Sequence, residues 1–309
     1  MNAAQLLQQI KTNRDLILNN NMHAYEHLQM LKNDYKHLID EQVSISLELN
    51  QSLADLYFYS NYEAAIKNSL AVLNKYPNSV HRSLINGHLK VVGRCYTGMG
   101  EFKLAEKSLL EALSFTTDLT IEHTTNRADT LHALAMNQEM IEEGSAKSIA
   151  YLSEAIELLS NKEYAVRQAN CKMGLGNVYN NAEKVEEALK YYTAAADTFE
   201  AHYVLSNMAS AYSNIGNCHI KLHDLDKAEK FHQKAFELRL KFASPDDLSI
   251  SYYNLAVVSK EKGDFDKAES FLIKSREILE RIGNKPYLAE VNDRIAELKE
   301  LRRNSAEIK

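Results

Sequence analysis

His219 and His223 stand four residues apart, a spacing that sets two imidazoles on one helix face and binds a metal ion where further ligands converge. No third His or Cys pair lies close in sequence, so the competing reading is that His219 packs and His223 sits in a turn. Cys95, Cys171 and Cys218 are odd in number and not closely spaced, which argues against a disulfide framework and for small apolar packing residues. The sequence holds no Gly-rich phosphate loop, no His-Glu-x-x-His pair, no paired-Cys metal spacing and no nucleophile elbow. Neither an enzyme nor a bound cofactor is expected.

What recurs instead is amide and guanidinium chemistry. Arg94, Asn137, Asn177 and Asn217 follow one another at a regular interval, and so do Asn214 and Asn254, with Tyr253 beside the last. An Asn side chain offers both a donor and an acceptor, so a column of them can pair with the backbone of an extended chain whatever its sequence. Arg127 and Arg167 form a second in-register pair, continued by Asn207. They either line the same face or pair with acidic residues of a neighbouring helix, and exposed ion pairs contribute little.

The elements that must carry these residues are written as a repeat. Ala211-Tyr-Ser-Asn-Ile-Gly-Asn-Cys218 returns as Ser251-Tyr-Tyr-Asn-Leu-Ala-Val-Val258, and Asp224-Leu-Asp-Lys-Ala-Glu-Lys-Phe231 returns as Asp264-Phe-Asp-Lys-Ala-Glu-Ser-Phe271, each 40 residues on. A fixed period of this length marks a solenoid, in which each unit buries its apolar face only against its neighbours. Tyr212, Ile215, Gly216, Ala228 and Ala235, with Tyr252, Leu255, Ala256, Ala268 and Ser275 after them, resemble the tetratricopeptide repeat, a helix-turn-helix unit. Its small residues let the two helices of a hairpin approach closely.

Aligned on the small place, Leu53, Gly93, Met136, Gly176, Gly216 and Ala256 are separated by 40, 43, 40, 40 and 40 residues. The familiar repeat has about 34 residues, so each hairpin here has longer helices, as in kinesin light chains and bacterial peptide-pheromone receptors. The expected fold is all-α: a TPR-like α-solenoid, a right-handed superhelix of six to seven helix-turn-helix hairpins with a C-terminal capping helix. Residues 1–42 read as an N-terminal cap or degenerate repeat, with Asn19 to Asn21 as its turn. Residues 43–283 hold the repeats, with turns expected at Gly100 and at Glu142 to Ser145. Residues 284–309, through Ala296, Leu298 and Leu301, read as the cap, all in one continuous solenoid.

The resemblance implies that the first helices line a concave groove for a protein or peptide segment. It assigns to that groove Lys90, Arg94, Arg127, Asn137, Arg167, Asn170, Asn177, Asn214, Asn217, Tyr253 and Asn254. The carboxylate clamp of chaperone-binding repeats is not reproduced, because from Lys90 its Asn place is Arg94, the next repeat has Leu134, and the third has Asn170 and Gly174. With 309 residues, three Pro, ten Gly and a dispersed net charge of −6, neither nucleic acid nor an anionic membrane is an expected partner. No long apolar run opens the chain, so a cytoplasmic protein is expected. The reading is a peptide- or protein-binding scaffold or adaptor. Its alternative is the regulatory sensor of a bacterial signalling system acting on a separate kinase, cyclase or transcription partner; oligomeric state is open.

Overall fold

A computed structural model of the chain describes residues 2–18, 23–57, 59–117, 121–141, 145–242 and 245–307. The turns expected at Asn19 to Asn21 and at Glu142 to Gly144 lie outside these residues. All regular structure among the described residues is helical. One compact unit, Met1–Lys162, holds α1 (Ala3–Leu18), α2 (His23–Asp34), α3 (Glu41–Tyr57), α4 (Tyr62–Lys75), α5 (Arg82–Gly98), α6 (Phe102–Ser114), α7 (Ile121–Glu139) and α8 (Ser145–Leu158). The other, Glu163–Lys309, holds α9 (Ala165–Asn181), α10 (Val185–Ala201), α11 (Leu205–Lys221), α12 (Leu225–Phe242), α13 (Pro245–Glu261), α14 (Phe265–Ile282) and α15 (Lys285–Glu307). Within each unit every helix packs on the next in sequence, the arrangement of a helical-hairpin solenoid.

The small residues set how closely the two helices of a hairpin meet. A methyl group on Gly93 would lie 2.5 Å from Leu109 Cγ, one on Gly176 2.5 Å from Tyr192 Cε1, and one on Gly216 2.7 Å from the His232 ring. The partner is in each case sixteen residues on, and the fourth such pair is Ala256 with Leu272, both in one buried cluster. Where the first helix carries the larger Leu53, the place sixteen residues on is the small, buried Ser69. Met136 departs from the pattern. It is 36% exposed, and the neighbouring Ala135, fully buried, faces inward in its place. The irregular 43-residue interval, from Gly93 to Met136, ends at this hairpin.

Gly176→Ala is expected to cost about 1–3 kcal/mol, the range for overpacking a filled core, because the Tyr192 ring is buried and its hydroxyl is tied to Asn177. Adding Tyr192→Leu recreates the Ala256–Leu272 pairing and should recover most of the loss. Urea unfolding of the single and double variants checks this. An unchanged midpoint for Gly176→Ala would mean that the approach does not limit packing.

The turns repeat with the helices. Gly100, Glu183, His223 and Gly263 all adopt left-handed backbone, with φ of +80°, +58°, +58° and +78°. Only Gly takes this conformation without steric cost, which explains Gly100 and Gly263 and makes Glu183 and His223 the costlier versions of the same turn. Asp224 and Asp264 then start the second helices, each accepting from the backbone N–H three residues on.

In the first unit α1 packs on α3 through a buried polar knot. Asn50 Nδ2 donates to Ile10 O (2.8 Å) and Asn13 Oδ1 (3.0 Å), Asn13 Nδ2 donates to Ala24 O (2.6 Å), and Arg14 Nε donates to Asn50 Oδ1 (2.9 Å). Both Asn side chains are fully buried, so each amide is held to one partner set. The expected N-terminal pair of helices is thereby fastened to the first well-formed repeat.

Candidate functional site

In the first unit the polar residues singled out by sequence are committed to neighbouring helices. Lys90 Nζ donates to Asn126 Oδ1 (3.2 Å) and lies 3.9 Å from Asp129 Oδ2. Arg94 donates to the Tyr57 hydroxyl. Arg127 Nε and Nη2 both donate to Glu154 Oε1 on α8, at 2.9 and 2.6 Å, so of its two readings the ion pair is the one formed. Asn137 is fully buried. It donates to Phe102 O (3.1 Å) and accepts from Thr97 (2.9 Å), which corrects its placement on an open face: it ties α7 to the preceding hairpin.

The second unit is different. Asn207 Nδ2 donates to Asn170 Oδ1 (2.7 Å), and Asn177 Oδ1 accepts from Tyr192 (2.7 Å) and from Asn214 Nδ2 (3.4 Å). The Tyr253 hydroxyl donates to Glu290 (2.9 Å) and accepts from Arg294 Nε (3.3 Å), and Lys260 Nζ donates to Glu297 (3.1 Å). The pairs 170–207, 177–214, 253–290 and 260–297 share a separation of 37 residues. Adjacent first helices are therefore offset by about one turn relative to the 40-residue period, and the polar strip is cross-linked along its length. Arg167 is exposed near the start of α9.

Asn217 and Asn254 stand apart from this ladder. Neither side chain makes a hydrogen bond among the described residues, and both line a pocket of about 440 Å³. Buried Ala256, Ala268, Leu272 and Leu298 supply its apolar wall, helped by Ile220 and Val257. Lys221, Lys260 and Arg294 also line it, and no carboxylate does among the described residues. Lys221 Nζ is held by Asn180 Oδ1 (2.8 Å) and Asn180 O (3.3 Å). Glu297, just behind, is pushed below the usual carboxylate range by Arg294 and Lys260, and its bond to Arg294 keeps that guanidinium firmly protonated. A second pocket of about 190 Å³ shares Tyr253 and Asn254 and adds Ser249, Ser275 and Glu290.

Of the residues that the sequence assigned to the groove, Asn217, Tyr253 and Asn254 line this pocket; Lys221, Lys260 and Arg294, which line it too, were not among them. For Lys221 and Lys260 the available signal was a cation in the last turn of a first helix, where the helix dipole also favours it; Arg294 lies midway along α15 and carries no such signal. The His219–His223 pair does not converge. His219 is buried and stacked on Phe231, with ring centroids 5.7 Å apart, while His223 occupies the left-handed turn. All three cysteines are free and buried. Burial pushes the Cys95 thiol up to about 12 and that of Cys218 to about 11, which keeps both as thiols and inert.

Residues 166–241 and 207–281 each match the tetratricopeptide repeat family model, spanning α9–α12 and α11–α14. These are tetratricopeptide repeats. No curated protein sequence matches the chain. Among solved structures, BtubC (BKLC) from P. vanneervenii is similar at 22% identity and TM-score 0.60, over 72% of this chain and 90% of that one. A Rap protein complexed with Competence and Sporulation Factor is similar at 15% identity and TM-score 0.67, over 96% of this chain and 87% of that one. A signal-transduction ATPase with a tetratricopeptide repeat sensor from Pyrococcus horikoshii is similar at 13% identity and TM-score 0.71, over 96% of this chain but 43% of that one. These likenesses are of fold. Among the described residues, no helix is long and apolar enough to cross a membrane.

Proposed function

We propose that this chain is a non-enzymatic binding module that holds an extended protein or peptide segment against the first helices of its second unit. The observation that carries this is the pair of unpartnered amides, Asn217 and Asn254, opening into one pocket with an apolar wall. An amide side chain left without an internal partner beside an apolar pocket wall is ready to pair with a peptide group, which presents one donor and one acceptor per residue. Asn170, Asn177 and Asn214, already linked to other side chains, continue the polar strip and hold it rigid. The exposed Arg167 lies towards its far end, and Tyr253 sits between the two pockets. Lys90, Arg94, Arg127 and Asn137, in the other unit, are assigned to packing.

A second reading, the sensor of a signalling system, draws on fold likeness to the Rap protein solved with Competence and Sporulation Factor and to the sensor repeats of the ATPase. It uses the same pocket and differs only in what a bound segment is coupled to. Free buried thiols support a place of action in the cytoplasm.

The test is selection of a random-peptide display library on the purified chain, followed by calorimetry with the recovered peptides. A lost hydrogen bond to a desolvated partner costs about 1–3 kcal/mol, so Asn217→Ala and Asn254→Ala should each weaken binding about ten-fold or more. Melting temperature should barely move, because neither side chain makes an internal hydrogen bond. Unchanged affinity in both folded variants would remove the amides from the site.

A further inference from the structure

The two pockets of the second unit repeat one another along the helices that line them. On α13 the smaller is lined by Ile250 and the larger by Val257; on α15 Val291 gives way to Leu298. On α14, which runs the other way, the order reverses from Leu279 to Leu272. Each step is seven residues, two helical turns or about 10.5 Å. Both pockets therefore open into one cleft between α13 and α15, with the buried leucines of α14 as its floor. Tyr253 lines both and crosses the cleft as a bar, its hydroxyl held by Glu290 and Arg294 of α15. Asn254, also common to both, stands beside that bar with its amide unpartnered among the described residues.

A ligand that fills both pockets must set two apolar side chains about 10 Å apart on one face. A pleated strand spaces its same-face side chains by about 6.6 Å or about 13 Å and misses on either side. Polyproline II, with three residues per turn and about 3.1 Å per residue, brings positions i and i+3 to one face about 9.3 Å apart, a difference that a long side chain absorbs. An α-helix matches the distance at i and i+7, but its peptide groups bond to one another and leave nothing for the Asn254 amide between the anchors. Polyproline II keeps its backbone free. We infer that the bound segment lies along the α13–α15 cleft in polyproline II conformation and inserts two apolar side chains three residues apart, one on each side of Tyr253, with Asn254 on the main chain that links them. The inference rests on the peptide-binding reading above and adds to it the spacing and conformation of the ligand. The larger pocket extends over Asn217 and Ile220 of α11, so it takes the bulkier of the two side chains. The two linking residues face away from the floor and are free in type, proline included, since its fixed φ suits this conformation.

The experiment uses the full chain and peptide pools blocked at both ends, N-acetylated and C-terminally amidated. Four pools carry a single Leu, or two Leu at i and i+2, i+3 or i+4, with every other position drawn from Gly, Ser, Pro and Gln. A fifth sets two Leu at i and i+7 in a helical background of Ala, Glu, Lys and Gln. The i+3 pool should bind about ten-fold or more tightly than the single-Leu pool, from burial of a second apolar side chain, and more tightly than the other spacings. Ile250→Trp and Val257→Trp, at half-buried lining positions, each fill one pocket and should bring the i+3 pool down to the affinity of the single-Leu pool. If either variant melts early, the ranking of the pools on the wild-type chain still decides. Equal binding of the i+2, i+3 and i+4 pools, each weakened by Asn254→Ala, overturns the spacing and leaves the peptide-binding reading in place. Tightest binding of the i+7 pool makes the ligand a helix and overturns the inference. Binding of no pool would remove both.

Discussion

Acidification from pH 7 to pH 4 is expected to strip several kcal/mol of stability from this protein, through histidines that the fold holds neutral. His88 is fully buried, with Nε2 donating to Ile45 O (3.1 Å) and Nδ1 facing Ser69 Oγ (3.1 Å). His232 is buried under Gly216 with neither ring nitrogen hydrogen-bonded. Burial pushes both imidazoles down from 6.5 to about 4, and Arg14 near the first and Arg239 near the second act in the same direction. Because the folded value is the lower one, the unfolded chain takes up the proton first. Stability is therefore level above about pH 6.5, declines as pH falls from there to about 4, and levels again below. Each histidine can contribute about 3 kcal/mol over that window, at about 1.4 kcal/mol per unit.

The two residues lie in different units, so urea midpoints measured at pH 7, 5.5 and 4.5 should fall for both. His232→Leu separates the cause. Leu109 and Leu272 already occupy the equivalent place opposite Gly93 and Ala256, so the replacement suits the site and removes two unsatisfied nitrogens. The variant should gain about 1–3 kcal/mol at neutral pH and show a shallower pH dependence. A variant with the wild-type pH profile would show that His232 is not held neutral by its surroundings.

The hairpins were legible because their defining residues are local. Gly93, Gly176, Gly216 and Ala256 each need one small side chain at one place, and the 40-residue interval repeats that need in the sequence itself. Met136 misled the alignment because the three extra residues lie between Gly93 and Met136, and spacing alone does not show whether the inward place then falls on Met136 or on the buried Ala135 beside it. A turn was readable at Gly100 and at His223 but not at Glu183, where a side chain tolerates a conformation it does not prefer.

The polar strip was half legible for a different reason. Type and period show that Asn137, Asn177 and Asn217 recur, but not which neighbour each will meet. That depends on the offset between adjacent first helices, and the separation of 37 residues in the paired positions is a property of packing. The same blindness hid Asn50 and Asn86, which lie earlier in their helices and are fully buried ties. Asn86 donates to Ala112 O (2.8 Å) and Thr130 Oγ1 (3.2 Å). It also hid Arg239, a buried guanidinium on α12 that donates to Ser213 and Ser251 at 3.0 Å each and so joins α12 to α11 and α13. The cations of the pocket come from three helices, and no local pattern brings them together.

Deleting residues 284–309 is expected to have the largest effect of any change to the second unit. Helix α15 covers α14 by burying Val291, Ile295 and Leu298 against Ala256, Ala268, Leu272 and Leu279. Without it, Leu272 and Leu279 face water, and each is worth about 1.5–3 kcal/mol as buried side chains. The cross-links from Glu290 to Tyr253, from Glu297 to Lys260, and from Arg302 to Asp266 and Glu269 are lost with it. They are mostly exposed and add little by themselves. A loss of about 3–6 kcal/mol from the last hairpin would lower melting by about 10 °C or more, at about 2–4 °C per kcal/mol for a unit of this size. The uncovered stripe on α14 is also long enough to seek another copy, so size-exclusion chromatography should show association or precipitation. Leu298→Asp gives a version without truncation: the chain keeps its length and its ion pairs, and a buried carboxylate now opposes the same contact. If the truncated chain melts within about 2 °C of the intact one and elutes as a monomer, α15 does not cap the repeats, and α14 is stable with its apolar face in water.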